Sequence, residues 1–371
     1  MKIGLTYNVK SEYVFRPGDP PDANAEFDHD DTIGVIEQAI KAGGHEVVRI
    51  GNAKTLLERQ MERVQTLDLV FNIAEGYEGR NRESQVPIIL EMLRVPCVGA
   101  DGLTLGLTLD KVMTKKILLA EGIPTPKFAE VHDPHDAWKI ALTYPLIAKP
   151  RCEGSSKGVP QASLVTTPEE LARQVQWLMD TYHQPALVEE FIEGQEFTVA
   201  IIGNDPPEIQ PIVQIRIEGQ LDLGRLFYTF EHIRTGADYV CPAAIDDGLR
   251  RRLETVALQT YEAVECKDLG RIDIRVDRAG RPYVLEINPL PSLSTEDVFM
   301  CVAKAQGRSY EAIINRIIDA ALVRHGLIPP PAAGPLGRLM HTRIRPPTAN
   351  AAGGGIKANE EPALPSATSS R

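Results

Sequence analysis

Two kinds of hydrophobic spacing alternate along the first part of the chain. Apolar runs at residues 3–9, 46–50 and 67–74 predict strands. Between the first two, Ile33, Ile36, Ala39 and Ile40 recur at helical spacing, and Gly43-Gly44 stops that helix. Helical patterns return at residues 53–64 and 86–94, with a short strand expected at 96–98. Strands alternating with helices predict a βαβ arrangement over about the first hundred residues. The unbroken apolar run at 67–74 suits a parallel strand covered on both faces.

Further on, residues 105–121 read as one helix ended by Gly122, and Ile123-Pro124-Thr125-Pro126 leads out of it. Strands are expected at 128–131 and 145–149, and a helix at 169–182. Strands at 186–192 and 195–202 read as a hairpin turning at Gly194, followed by a strand at 209–217. Residues 219–240 predict a mobile loop with too many aromatics to be purely solvated, so it folds over something. Helices are expected at 249–264 and 310–325. From residue 329 proline, alanine, glycine and serine dominate and periodicity stops, which predicts a disordered tail over 329–371. No internal repeat is visible.

The richest stretch is residues 270–290. It reads GRIDIRV, DRAGRP, YVLEINPL, a pattern of two antiparallel strands. With the turn centred between Ala279 and Gly280, Asp273 faces Glu286 and Arg271 faces Asn288. Directly opposed residues share a face, so all four polar groups project from one patch. A bulge at the turn would break that register. Two carboxylates beside an amide oxygen form a hard oxygen cage suited to magnesium that takes its remaining ligands from water and phosphate. The bland alternative is a solvent-facing strand pair with ordinary charges.

Three loops add chemistry. Glu75 stands at the end of a predicted parallel strand, where open α/β sheets place ligands. A plain connection is the alternative. Lys149 ends another strand and is followed by Glu153-Gly154-Ser155-Ser156-Lys157-Gly158, a composition that lets backbone N–H groups approach anionic oxygens. It is not a Walker A loop. Glu189, Glu190 and Glu196 either accept from an adenine or ribose or are exposed edge charges. The acidic cluster Glu26-Phe27-Asp28-His29-Asp30-Asp31 closes a long polar segment over residues 10–31; it holds an ammonium group or is solvated, and the solvated reading is favoured.

Composition narrows the partners. The 371 residues are 43% hydrophobic and 25% charged, ordinary for a globular protein of two or three domains. A net charge of −11 argues against nucleic acid and anionic membrane as partners. Five scattered cysteines without a C-x-x-C pair point to a reducing compartment and no zinc site. No signal peptide and no membrane-spanning run are expected, and the expected location is cytoplasmic.

The stretches LDKVMTKKILLAEGIPTP, PLIAKPRCEGSSKGV, ALVEEFIEGQEFTVAIIG, YVCPA and GRIDIRV…YVLEINPLPSLS agree in order and spacing. On them the chain resembles the ATP-grasp superfamily and, within it, the D-alanine–D-alanine ligases. The resemblance implies an α/β fold with an N-terminal Rossmann-like βαβ domain (1–107) before a two-lobed ATP-grasp domain (108–328). It implies ATP with Mg2+ or Mn2+, amino acid substrates, an acylphosphate route and a homodimer. By position it implies Lys111 and Lys149 on the phosphates, and Glu153, Gly154, Ser155 and Ser156 in the loop over them. Ser155 matches the active-site serine, Glu189 the acid near adenine, Glu196 the ribose acid. Asp273, Glu286 and Asn288 match the metal ligands, and Arg271 the arginine of the reacting carboxylate. Elsewhere the chain departs. Its first strand runs into the 10–31 loop without the glycine–serine–glutamate signature. Glu75-Gly76 replaces a histidine–glycine pair, His232-Ile233-Arg234 a lysine–tyrosine pair, and Pro291-Ser292 follows where the family has proline–glycine. These departures suit a ligase for other amino acids or amines; loss of catalysis is a third, less favoured reading.

Overall fold

Apolar runs and alternations become three β-sheets among the described residues of the computed structural model, which are 1–229, 231 and 238–330. The first sheet holds β1 (Lys2–Tyr7), β2 (Glu46–Gly51), β3 (Leu69–Ile73) and β4 (Cys97–Val98), all parallel, in the order β2-β1-β3-β4. Every residue of β3 is buried, as its unbroken apolar run predicts. α1 (Asp30–Ala42) and α2 (Gln85–Met92) connect these strands. Residues 53–64 are helical but pass through a π turn at Leu56–Gln60.

The single helix expected at 105–121 is two helices, α3 (Gly102–Leu109) and α4 (Lys111–Ala120). The break is Asp110, with φ −82° and ψ 91°, whose side chain accepts from the Met113 N–H and caps α4. Aspartate is a strong N-cap because its carboxylate satisfies an orphan amide at the helix start. Arg151 clamps the same carboxylate with two hydrogen bonds of 2.7 Å. Lys111 is thereby fixed at the start of α4.

The second sheet is antiparallel, with β5 (Phe128–Val131), β6 (Leu146–Pro150), β7 (Leu164–Val165) and β8 (Ala186–Glu190) in the order β5-β8-β6-β7. α5 (Pro168–Tyr182) covers it through Leu171, Val175 and Leu178. The third sheet holds β9 (Gly194–Ile202), β10 (Glu208–Ile209), β11 (Val213–Arg216), β12 (Asp238–Val240), β13 (Leu269–Asp277) and β14 (Pro282–Asn288). β8 and β9 therefore do not form the expected hairpin; they belong to different sheets. Pro211, which lacks an N–H, lies in the gap that splits the strand expected at 209–217 into β10 and β11. The loop expected at 219–240 ends in β12, paired to β11.

Period-two alternation divides β9 and β13 between two cores. Phe197, Val199, Ile201, Ile272 and Ile274 pack against α6 (Asp247–Ala263). Ala200, Ile202 and Leu269 face the other way and join a core with α1, α7 (Val298–Ala305) and α8 (Tyr310–Arg324). α7 was not expected, although Asp297 caps it and an apolar run follows. No described helix is long and apolar enough to cross a membrane. The expected tail beyond residue 330, and His232, Ile233 and Arg234, lie outside the described residues.

Candidate active site

The β13–β14 hairpin pairs Asp273 with Glu286 and Arg271 with Asn288. The route to that register differs from the expected one. Asp277 N–H bonds the Arg281 carbonyl, so the turn has three residues, Arg278, Ala279 and Gly280, with Gly280 at φ +75°. The register then shifts between Asp273 and Ile274, leaving Leu285 as a bulge. A longer turn and a bulge offset each other.

Arg271 grips Asp273 with two hydrogen bonds, Nε to Oδ1 at 3.2 Å and Nη2 to Oδ2 at 3.1 Å. Asn288 Nδ2 donates to Asp273 Oδ2 at 3.0 Å, which leaves the amide oxygen of Asn288 as an acceptor. Burial above all, with the Glu286 charge adding, pushes the Asp273 carboxyl up against the opposing Arg271 guanidinium. Two facing carboxylates beside an amide oxygen fit a divalent hard cation.

Glu286 also meets Lys111, whose ammonium is 3.1 Å from Oε2 and donates to the Glu153 carbonyl at 2.5 Å. Burial pushes Glu286 up, but Lys111 and Lys149 outweigh it and hold the carboxyl well below the usual range. Lys149 sits 2.6 Å from Glu189 Oε2, and Lys115 pairs with Oε1 of the same carboxylate. Glu189 is only 1% exposed, so it is no edge charge; its two oxygens hold two lysines in place. Glu196 pairs with Arg275 at 3.3 Å, and Arg275 lies over the Phe191 ring at 4.6 Å.

The glycine–serine loop is pinned from the N-terminal segment. Glu26 Oε1 accepts from the Gly154 N–H and from Arg82 Nη2, each at 2.7 Å, and Lys157 lies 3.2 Å from Oε2. Asp22 accepts from the Gly158 N–H at 3.0 Å. Ser155 and Ser156 adopt left-handed backbone, with φ of +47° and +52°. The side chain of Glu26 is 4% exposed, so the favoured solvated reading fails for it: its partners Arg82 and Lys157 are far off in sequence. Asp30 and Asp31 are solvated, in the first turn of α1.

One cavity of about 650 Å3 collects these groups. It is lined by every expected site residue: Glu75, Lys111, Lys149, Glu153, Gly154, Ser155, Ser156, Glu189, Glu196, Arg271, Asp273, Glu286 and Asn288. Phe227, Tyr228 and Tyr239 line it too, so the aromatic segment does fold over something. Sequence reasoning passed over Glu83, Asp297 and Lys10, which also face it. Glu83 sits in the loop already singled out for Glu75; Asp297 was legible as a helix cap.

Residues 117–319 match the family model described as D-ala D-ala ligase C-terminus. An uncharacterized protein of Sinorhizobium fredii is 37% identical over 297 residues, 78% of this chain and 87% of that one. The D-alanine–D-alanine ligase of Pelotomaculum thermopropionicum is 30% identical over 304 residues, 79% of this chain and 91% of that one. Among solved structures, the Bacillus anthracis D-alanine–D-alanine ligase complexed with ATP superposes with a TM-score of 0.68 at 23% identity, covering 88% of this chain and 99% of that one. The Enterococcus faecalis VanG D-Ala:D-Ser ligase gives 0.65 at 21%, covering 86% and 99%. Those two likenesses speak for the fold. The family model and the ligase relatives establish that the chain belongs to the D-alanine–D-alanine ligase family, ATP-grasp enzymes that form C–N bonds with ATP and Mg2+.

Proposed function

We propose that this cavity joins a small amino acid to an amine-bearing partner, with the following residues in charge. ATP is consumed and is therefore a substrate. A substrate carboxylate attacks its γ-phosphate to form an acylphosphate and ADP leaves; an amine then attacks the acyl carbon, gives up a proton, and phosphate leaves. Negative charge gathers at the phosphates and then at the acyl oxygen. On this reading Lys111 and Lys149 neutralise the first and Arg271 the second. Phosphoryl transfer depends mainly on such positioning and neutralisation. Asp273, Glu286 and Asn288 would hold Mg2+, which supplies further charge neutralisation on the phosphates. Ser155 and the backbone of Glu153–Ser156 cover the phosphates, Glu196 receives the ribose, and Glu189 acts by holding Lys149 and Lys115. Glu75 belongs to the wall that meets the amino acid.

The observation that carries this reading is the meeting of Arg271, Asp273, Glu286 and Asn288 with Lys111 and the glycine–serine loop in one cavity. On this reading residues 1–107 supply the substrate wall and residues 108–328 the nucleotide side. A cytoplasmic homodimer is part of the proposal, on the family resemblance. The test is ATP-dependent phosphate release over D- and L-amino acids, singly and paired, with products identified by mass and Glu286→Ala as control. Release with D-alanine alone and formation of its dipeptide would make this a D-alanine–D-alanine ligase. Release only with another partner supports the second reading, a ligase of altered specificity, which the carboxylates Glu75 and Glu83 favour. ATP binding without release under any pairing would sink both.

A further inference from the structure

The cavity wall made by the first hundred or so residues carries more carboxylates than cations to match them. Glu26 is satisfied by Arg82, Lys157 and the Gly154 amide. Asp28 faces Lys10, whose ammonium lies 3.3 Å from His29 Nε2. Glu75 and Glu83 line the same cavity, and neither has a hydrogen bond or ion pair among the described residues. Glu83 is 9% exposed. A carboxylate this deep without a partner is costly, and a fold gains nothing by keeping it. The acids also crowd one another. Burial, then Glu83 and Glu26, push Glu75 well above the usual carboxylate range. Burial above all, with Glu26 adding, raises Glu83 to about 7 even with the charges of Arg82 and Lys111 opposing it.

The missing partner is cationic. Among the described residues no three carboxylates, imidazoles or thiols converge closely enough to enclose a metal ion. Acids spread along a wall suit an organic ammonium, whose three N–H donors can reach more than one carboxylate. We infer that Glu83 and Glu75 receive a second, side-chain ammonium of a substrate, so that the enzyme selects a diamino acid over a neutral amino acid. This rests on the ligase reading above and names its substrate class. The methyl side chain of alanine offers nothing for these two carboxylates to bind.

The test uses matched pairs that differ only in the side-chain amine: ornithine against norvaline and lysine against norleucine, each as D and L forms. ATP-dependent phosphate release is measured on the full chain. In parallel, ornithine and norvaline are titrated calorimetrically into protein saturated with Mg2+ and a non-hydrolysable ATP analogue. The expected result is a preference of about tenfold or more for the diamino acid, as a charged hydrogen-bond partner provides, and expressed in KM. Glu83→Gln should collapse that preference and Glu83→Asp restore part of it, a pattern that a merely structural glutamate would not produce. Phosphate release with neutral amino acids and no gain from the amine overturns this inference and leaves the ligase standing. Glu83-dependent binding of ornithine without turnover keeps the cation site and removes the ligase reading. Equal or absent binding of the two probes in the titration overturns the inference whatever the turnover.

Discussion

Lys111 ties two elements together: its ammonium lies 3.1 Å from Glu286 Oε2 on β14 and donates to the Glu153 carbonyl of the glycine–serine loop. Both side chains are mostly enclosed, so removing Lys111 takes away the ion pair of Glu286 and leaves it only the charge of Lys149 nearby. Lys111→Met should lower stability by about 3 kcal/mol in urea unfolding, and adding Glu286→Gln should recover part of that loss. An unchanged midpoint for the single variant would show that the pair contributes nothing to the fold.

The hairpin makes a separate prediction about metal. Among the described residues the Asn288 nitrogen donates to Asp273, which leaves its amide oxygen as an acceptor. On the proposed metal assignment, Asn288→Ala removes a ligand together with the hydrogen bond to Asp273. The Mg2+ concentration for half-maximal rate should rise about ten- to a hundredfold, and Mn2+ binding followed by electron paramagnetic resonance should weaken in parallel. A rate loss with no change in metal dependence would remove Asn288 from the metal set.

Two buried glutamates should give opposite pH slopes. Burial pushes Glu26 up, but Arg82 and Lys157 outweigh it and hold the carboxyl at about 2. A depressed carboxyl stabilises the fold above its unfolded value of about 4.3, and that contribution is lost as pH falls towards about 2. Glu83 is raised to about 7 by burial above all. Its folded state holds the proton more tightly, so its contribution is full below about 4.3 and lost as pH rises to about 7. Melting temperatures between pH 5 and 8 should fall less steeply for Glu83→Gln than for the wild type. Glu26→Gln should flatten the acid side instead. Parallel curves for all three proteins would contradict both assignments.

Gly76 holds the loop that presents Glu75 and Glu83. Its φ is +75°, and a Cβ there would lie 2.4 Å from the Arg82 backbone oxygen. Gly76→Ala should cost at least about 2 kcal/mol and raise the KM for the amino acid more than that for ATP. An equal rise in both would place the damage elsewhere than the substrate wall.

The alternation in residues 270–290 was enough to bring Arg271, Asp273, Glu286 and Asn288 onto one face, because side-chain direction in a strand has period two. The same period placed Ile272 and Ile274 in the opposite core. Strand β3 and the helix stop at Gly43 were legible for similarly local reasons. The reason for the register was not legible: the assumed two-residue turn is a three-residue turn compensated by a bulge at Leu285. The break at Asp110 was missed because capping competes with an otherwise continuous helical pattern.

By itself the sequence determined most of the strands and helices, the shared face of Arg271, Asp273, Glu286 and Asn288, and the family to which the chain belongs. Those properties rest on spacing and residue type, which are local. Tertiary structure alone decided that β8 and β9 part into different sheets, that Glu26 is buried between Arg82 and Lys157, and that Glu83 faces the cavity with no hydrogen bond or ion pair to its carboxylate among the described residues. Each depends on what lies beside a side chain from a distant part of the chain. The fate of a charge is set by its partners and its access to water, and neither is written in its neighbours along the sequence.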